Sequence, residues 1–279
     1  MNRQSAIFRI ILYSIIILLL LSILGVGLAL KTFTFHFGSK THDTHVTSQT
    51  EFQADDIHNL EIEWASGDIH IVTADTDKIS VSETGAVDDK NRAVVQQTGN
   101  TLSIRFHESA IIVGVNTISD KDLTITVPKG WTCSELSIDA ASVNIETAEL
   151  SIDEVEMDLA SADCRFENCN FGTLDIDAAS GTVYVSGTVL ALDCDAASAN
   201  VTAVLTNVPS HIDFDTASGD LDLTLPENAG FTVEMDTLSG SFSSNFNTSH
   251  HGERHTCGDG ACRITMDGMS GDLTIRKAK

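Results

Sequence analysis

Hydrophobic and polar residues alternate along most of the chain, and the alternation repeats with a short period. Each repeat is centred on a serine, and apolar residues stand six and four positions before it and three positions after it. The central serines are Ser142, Ser161, Ser180, Ser198, Ser218 and Ser239, which lie 18 to 21 residues apart. Alternation with a period of two predicts β-strands. A fixed period of about 19 residues predicts stacked coils of chain, each lying on the one before it.

Further copies of the repeat surround Ser66 and Ser270, and all eight copies supply the same three apolar columns. The column six before the serine is Leu60, Leu136, Val155, Leu174, Leu192, Ile212, Val233 and Ile264. The column four before it is Ile62, Ile138, Met157, Ile176, Cys194, Phe214, Met235 and Met266. The column three after it is Ile69, Ile145, Cys164, Val183, Val201, Leu221, Phe242 and Leu273. At the ~4.8 Å spacing of strands, each column becomes a buried stripe. The pattern therefore predicts an all-β fold, a β-solenoid of ~19-residue coils, with Cys164 and Cys194 in its core.

An acidic residue stands three positions before the serine in every copy. We call this set the acidic ladder: Glu63, Asp139, Asp158, Asp177, Asp195, Asp215, Asp236 and Asp267. The alternation places the ladder on the outer face, where carboxylates about 5 Å apart repel by roughly 0.8 kcal/mol in water. Two arrangements would offset this repulsion. Either each carboxylate caps the following turn by accepting backbone N–H hydrogen bonds, or the ladder binds cations or a cationic partner.

The N-terminal region predicts a membrane anchor. Residues Ile10–Leu30 form an uncharged apolar run of 21 residues, and about 20 helical residues span a bilayer. Arg3 and Arg9 precede the run, which favours a cytoplasmic N-terminus and an extracellular C-terminal domain. A cleaved signal peptide is the alternative, but its apolar core is usually shorter. We therefore expect a retained signal-anchor that crosses the cell membrane once.

These patterns divide the chain into three parts. Residues 1–31 are the expected cytoplasmic stub and transmembrane signal-anchor, and residues 32–55 are a polar juxtamembrane spacer. Residues 56–279 form the expected β-solenoid domain. Within it, residues 56–135 have weaker periodicity and predict an irregular first lap or cap, whereas residues 136–279 hold the regular repeats.

Composition and repetition limit the function classes. The chain carries 40 acidic and 16 basic residues, a formal net charge of −24. Such a surface would be repelled by phosphates, so nucleic acid is excluded as a partner. Serine and aspartate recur in every copy, whereas catalysis needs a local departure from the pattern, such as a nucleophile beside a base. We therefore expect no enzymatic activity and no required cofactor, Ca²⁺ and Zn²⁺ being the ions to consider.

The last spacing, from Ser239 to Ser270, is 31 residues and includes an insertion of about eleven. Around it lie three histidines and two cysteines: His250, His251, His255, Cys257 and Cys262. The set matches no zinc-finger spacing, although its donors suit zinc or copper. Alternatively, Cys257 and Cys262 form a disulfide that closes the loop, which an exported chain permits.

Several segments carry a resemblance to a known family. Leu123–Gly130 leads into Leu136–Ser142, and the chain later contains Thr237–Gly240 and a closing run, Gly258–Ile275. Together these segments resemble the bacterial putative-adhesin family of domain-of-unknown-function β-strand-repeat proteins, and in particular its LiaG-like membrane-anchored members. The resemblance covers roughly residues 55–279. It implies a β-solenoid displayed outside the cytoplasm and supplies no catalytic residues.

The sequence and this resemblance lead to one functional expectation and one alternative. The expectation is a membrane-anchored, extracytoplasmic, non-enzymatic surface module that presents an acidic face for adhesion or envelope-stress interactions. Its partners would be the membrane and an envelope protein, a wall polymer or a cationic peptide. The alternative is an ectodomain that binds calcium, zinc or copper ions or senses cationic peptides.

Overall fold

The computed structural model describes residues 46–85, 92–107, 121–252 and 254–279. In these residues almost the whole chain is extended, and the one helical element is a short 3-10 turn, Ala54–Asp56. The all-β prediction is therefore confirmed for this part of the chain.

The predicted membrane anchor, Ile10–Leu30, lies outside the described residues, as does most of the predicted spacer. Among the residues that are described, no helix is long and apolar enough to cross a bilayer. The signal-anchor accordingly stays a prediction from the sequence.

The described chain forms sixteen strands in one hydrogen-bonded sheet system. The first seven strands are β1 (Val46–Gln53), β2 (Asn59–Ala74), β3 (Lys78–Gly85), β4 (Val94–Thr98), β5 (Thr101–Arg105), β6 (Lys121–Pro128) and β7 (Thr132–Ala148). The others are β8 (Ser151–Leu205), β9 (His211–Ser218), β10 (Leu221–Leu225), β11 (Phe231–Ser239), β12 (Phe242–Ser244), β13 (Thr248–His251), β14 (Arg254–Cys257), β15 (Cys262–Ser270) and β16 (Leu273–Lys277). The run β8 is unusually long because it continues through several coils, and the small residues at their corners let the chain turn while remaining extended.

Parallel pairing stacks the coils with their repeats in register. Ser142 of β7 partners Ser66 of β2 on one side and Ser161 of β8 on the other. The residues on both sides of the corner follow the same register, so each coil lies directly on its neighbour. The β-solenoid prediction is confirmed.

The three apolar columns form the core, as the pattern predicts. Leu136, Ile138 and Ile145 are 0%, 1% and 0% exposed, respectively. Of the 24 column residues, only Met235 and Phe242 are partly buried. Both belong to the coil of Ser239, which is the last parallel coil of the stack and therefore has a parallel neighbour on one side only.

The stacking order differs from the order of the sequence, which the repeat pattern alone does not predict. Strand β15 lies between β9 and β11, so Ser270 partners both Ser218 and Ser239. Likewise β16 lies between β10 and β12. The expectation that each coil lies on the one before it is therefore wrong for the final coil. That coil is inserted between two coils that precede it in the sequence.

The N-terminal end of the stack is closed by antiparallel strands. Strand β2 is a regular coil that pairs with β7 on one side and with β5 and β6 on the other. Strand β4 pairs antiparallel with β5, β3 with β6, and β1 with β3. The predicted irregular first lap thus contains one regular coil, and the cap consists of β1 and β3–β6. Covering the end in this way limits edge-to-edge aggregation.

A buried ion pair joins the strands of this cap. Lys121 Nζ lies 2.8 Å from Glu83 Oε1, and the two side chains are 2% and 1% exposed. The ammonium group also lies 3.9 Å from the ring centroid of Phe106, and Trp64 Nε1 donates a 2.9 Å hydrogen bond to the carbonyl oxygen of Lys121. The lysine thereby links β2, β3 and β6. Removal of one partner from a buried pair of this kind is strongly destabilising, because it leaves the other charge buried without compensation.

The C-terminal end is closed by the histidine-rich insertion. Its strands β13 and β14 form an antiparallel hairpin, and β14 pairs antiparallel with β11 of the terminal coil. The insertion is therefore a structural cap that lies along the edge of the last coil.

Candidate functional site

The acidic ladder runs along the stacked strands as the sequence predicts. Register pairs Asp139 with Glu63 and with Asp158, and Asp215 with Asp195 and with Asp267. All eight ladder residues are exposed or half-buried, and none points into the core. A second row of acids lies two residues before the ladder on the same side of the strands: Glu61, Glu156, Asp175, Asp193, Asp213 and Glu234. We call the two rows together the acidic face.

Five carboxyl groups of the ladder have a raised pKa, with burial as the largest cause: Asp139, Asp177, Asp195, Asp215 and Asp267. Partial burial, followed by the neighbouring carboxylates Asp195 and Asp158, raises the pKa of Asp177 to about 6. Burial and then Asp195 and Asp267 raise the pKa of Asp215 to about 7. A side-chain hydrogen bond with Asp195 adds to the raised pKa of Asp215. Burial and like charges also raise the pKa of Asp139.

The turn-capping role lies at a different position from the one the sequence suggested. In the described residues no ladder carboxylate accepts a hydrogen bond from the backbone N–H of a following turn. The residue two positions after the serine caps the corner instead. It accepts a hydrogen bond from the backbone N–H of the equivalent residue in the neighbouring coil. Asp163 Oδ1 accepts from the Thr182 N–H at 3.1 Å, and Asp272 Oδ1 accepts from the Ser241 N–H at 2.8 Å. The ladder is therefore not required to hold the corners.

Basic partners reach the acidic face mainly at its ends. Arg105 Nε lies 3.1 Å from Glu63 Oε1 near the N-terminal cap. At the other end Arg263 Nη2 lies 3.4 Å from Asp213 Oδ2, and Arg254 pairs with Glu234. Across the middle, from the coil of Ser161 to that of Ser180, the described chain places no basic side chain in an ion pair with the face. The carboxylates of this central part therefore have no basic partner among the described residues.

A cluster of one histidine and two aspartates lies where β8 pairs with β9, and the predictions from the sequence do not include it. His211 Nε2 is 3.3 Å from Asp193 Oδ1, and ligand atoms of Asp193, His211 and Asp213 all lie within 4.8 Å of one another. The signal was present in the pattern, because Asp193 and Asp213 share one column and His211 stands two residues before Asp213 on the same side. Asp193 belongs to a different coil from His211 and Asp213, however, so no local motif joins the three residues.

The histidine- and cysteine-rich insertion does not form the predicted five-residue donor set. His250 and His255 face each other across the hairpin, with ring centroids 4.7 Å apart. His251 instead lies opposite Arg254 in the strand register. The buried Cys257 donates from Sγ to the carbonyl oxygen of Ala229, 3.5 Å away. Burial, and then His250, lowers the pKa of His255. Successive side chains of a β-strand point to opposite faces. The adjacent residues His250 and His251 therefore cannot bind the same ion.

The predicted Cys257–Cys262 disulfide is absent, and the pairing of strands explains why. Cys257 of β14 and Cys262 of β15 are both partners of Phe231, on opposite sides of β11. Two strand spacings put their Cα atoms about 9.6 Å apart, which is beyond the reach of a disulfide. All six cysteines are buried free thiols, and burial raises the pKa of Cys262 to about 12. The prediction that Cys164 and Cys194 are core residues is confirmed, since each is 3% exposed.

On the other side of the coils, polar residues line a shallow recess of about 280 Å³. His70 Nδ1 lies 3.6 Å from Glu146 Oε2, and the guanidinium of Arg165 lies 4.8 Å from the ring centroid of Tyr184. Both charge signs are present and paired there. This surface therefore contrasts with the acidic face, whose central charges have one sign.

The family comparison matches nearly all of the described domain. The family model described as Toastrack DUF4097 matches residues 57–276. No curated protein matches the chain.

Several solved bacterial structures are similar to the chain. A putative cell adhesion protein from Clostridium sporogenes is 8% identical, with a TM-score of 0.39 over 83% of this chain and 99% of the other. A putative adhesin from Parabacteroides distasonis is 12% identical, with a TM-score of 0.37 over 83% and 96%. A putative lipid binding protein from the same species is 16% identical, with a TM-score of 0.35 over 83% and 96%. Likenesses at this level support no residue-by-residue comparison of function.

Proposed function

Because the chain belongs to the Toastrack DUF4097 family, we propose that it is a non-enzymatic surface module that binds a cationic partner of the cell envelope through its acidic face. The observation that carries this proposal is the row of stacked carboxylates whose central part has no basic partner in the described chain. Partial burial, and then repulsion within the row, raise the pKa of Asp177 and Asp215. A bound cationic group would relieve that repulsion.

The geometry of the face suits an extended basic segment. Eight ladder residues at a strand spacing of ~4.8 Å form a row about 34 Å long. An extended peptide of roughly ten residues has this length at about 3.4 Å per residue. The partner's charges would lie across successive coils, so affinity would depend on many weak contacts and would fall as salt is added.

The site of action proposed for the module is outside the cytoplasm. We infer this location from the apolar run Ile10–Leu30 and the arginines before it, because positive residues favour the cytoplasmic side of a membrane span. Protease added to intact cells should then digest the domain while the N-terminal stub stays protected. Protection of the whole chain would contradict an external location.

Binding of a decalysine peptide tests the role of the face. We expect the triple variant Asp158→Asn, Asp177→Asn and Asp195→Asn to bind the peptide at least tenfold more weakly at about 50 mM salt. The matched control is Asp55→Asn, Asp56→Asn and Asp75→Asn, which removes the same charge from exposed acids outside the face. Calorimetry in the presence of EDTA measures both. Equal losses in the two variants would show a diffuse charge effect and overturn the proposal.

A cation-sensing ectodomain is the second candidate function. One observation favours it over a purely adhesive module, namely the imidazole that stands among carboxylates at His211.

A further inference from the structure

The cluster at the β8–β9 boundary brings together two kinds of ligand. Parallel pairing sets Asp213 beside Asp193 and His211 beside Ala191. Asp193, His211 and Asp213 therefore project from the same side of two adjacent strands, and all three are half-buried. An imidazole and two carboxylates differ in chemistry from the ladder, which offers oxygen atoms alone.

Hydrogen bonds outside the cluster fix how the imidazole is oriented. Ser210 Oγ donates its one hydrogen to Leu190 O at 2.9 Å. It can then only accept from His211 Nδ1, which lies 3.1 Å away. In the neutral ring this leaves Nε2 with a lone pair that faces the carboxylate of Asp193 at 3.3 Å. A lone pair and a carboxylate repel unless a proton on Nε2 or a metal cation lies between them. A hydrogen bond from Nδ1 to a neighbouring acceptor is also how proteins orient metal-binding histidines.

We propose that His211 Nε2, together with one carboxylate oxygen each from Asp193 and Asp213, binds a first-row divalent transition ion such as Zn²⁺. An imidazole ligand favours zinc, nickel or copper over calcium and magnesium, which take oxygen ligands. Three protein ligands leave a coordination position for water or for a donor from a partner. The ion would join two coils and neutralise charge on the acidic face.

The spacing of the donors is compatible with this assignment after small side-chain movements. The three ligand atoms lie within 4.8 Å of one another, whereas ligands about 2.1 Å from a zinc ion lie roughly 3.4 Å apart. Because the side chains are half-buried, rotation about their own bonds can supply the difference of about 1.4 Å.

Two neighbours compete for Asp213 and make the proposal sharply testable. Arg263 Nη2 lies 3.4 Å from Asp213 Oδ2, and Thr265 Oγ1 donates to Asp213 Oδ1. A bound ion has to displace the guanidinium, so Arg263 lowers the affinity. Removal of its charge should therefore strengthen binding, which a merely structural role for His211 would not predict.

Zinc titration of the full-length, untagged chain in mild detergent tests the site. We expect one Zn²⁺ per chain, bound at least tenfold more weakly by His211→Asn and several-fold more tightly by Arg263→Gln. The control His70→Asn removes a histidine that pairs with Glu146 on the other side of the coils, and should bind as the wild type does. Thermal unfolding without metal verifies that each variant is folded.

Spectroscopy of the Co²⁺-loaded chain supplies a second readout, since a nitrogen ligand from His211 changes the visible absorption bands in the wild type and not in His211→Asn. Absence of zinc binding up to millimolar concentration would overturn the proposal. So would wild-type affinity in His211→Asn, or loss of binding in His250→Asn instead.

Discussion

At the scale of single residues, Asp177 shows what stacking identical coils does to a charged side chain. Its neighbours in the ladder are the equivalent aspartates of the coils on either side, Asp158 and Asp195, and its own side chain is partly buried. Each pair repels by roughly 0.9 kcal/mol at 4.8 Å even in water. The result is a carboxyl group with a pKa of about 6 in the folded chain, against an ordinary value of 3.8.

This shift predicts that replacement of Asp177 stabilises the protein in a pH-dependent way. A raised folded-state pKa means that stability is lost as the pH rises from about 4 to 6, because the folded chain holds the proton more tightly than the unfolded chain. Asp177→Asn should therefore raise the free energy of unfolding by about 1 kcal/mol at pH 7.5, after allowance for solvent screening. The gain should be close to zero at pH 4.

Urea denaturation at the two pH values, with EDTA present, measures the difference. The control is Asp75→Asn, which changes an exposed acid outside the ladder and should have little effect at either pH. A gain for Asp177→Asn that is the same at pH 4 and pH 7.5 would contradict the assigned cause.

At the scale of elements, the corner between the two strands of a coil limits which residues the repeat accepts. Gly181 follows its serine with φ +141°, in the region that favours glycine. A Cβ atom there would overlap the carbonyl oxygen of Ala162 in the neighbouring coil. Four other coils also carry glycine at this position, and a Cβ atom there would likewise overlap a neighbouring carbonyl oxygen: Gly67, Gly219, Gly240 and Gly271. The remaining coils carry valine or alanine.

Gly181→Ala should lower the free energy of unfolding by about 3 kcal/mol, because it adds backbone strain and a backbone clash. Gly99→Ala is the matched comparison. Gly99 also has positive φ, +62°, but nothing lies within 4 Å of its added Cβ, so its cost should be about 1 kcal/mol. Denaturant melts compare the two. Similar losses would mean that conformation alone, and not the contact with Ala162, controls the corner.

At the scale of the whole molecule, the inserted C-terminal coil decides which repeats are neighbours. Ser218 partners Ser270, although Ser239 is its successor in the repeat pattern. Adjacent parallel strands put partner Cα atoms about 4.8 Å apart, within the range of a disulfide. Two strand spacings, about 9.6 Å, lie outside it.

Engineered cysteines can therefore read the order of the coils. Ser218→Cys with Ser270→Cys should form a disulfide under mild oxidation, whereas Ser218→Cys with Ser239→Cys should not. All three serines are exposed, and the six native cysteines are buried. Mass spectrometry of peptides from the oxidised protein measures the link. Preferential linkage of positions 218 and 239 would show that the coils stack in sequence order.

The extent to which the sequence predicts this molecule follows from what a repeat encodes. Columns such as Leu136, Ile138 and Ile145 report alternation and period directly, so the solenoid, its core and the ladder were predictable. The order of the last coils was not predictable, because the repeats around Ser239 and Ser270 are equivalent and either coil could lie on that of Ser218. In the structure, the hairpin that follows the Ser239 coil pairs with the outer edge of that coil.

Two features of the site also could not be predicted from local sequence patterns. Carboxylates on both sides of the corner suit capping, and only the hydrogen bonds show that Asp163 and Asp272 do this and the ladder does not. The Cys257–Cys262 pairing looked feasible from a separation of five residues, but β11 runs between the two thiols.

Insertion of residues 262–277 between earlier coils also governs the route by which the fold is completed. The strands on either side of this segment are synthesised first, and their facing N–H and C=O groups have no partner until Cys262 and the residues after it arrive. A chain halted before that point carries two open parallel edges that match the missing segment. The same segment of a second copy fits those edges, so interrupted synthesis would convert an intramolecular closure into a linkage between molecules.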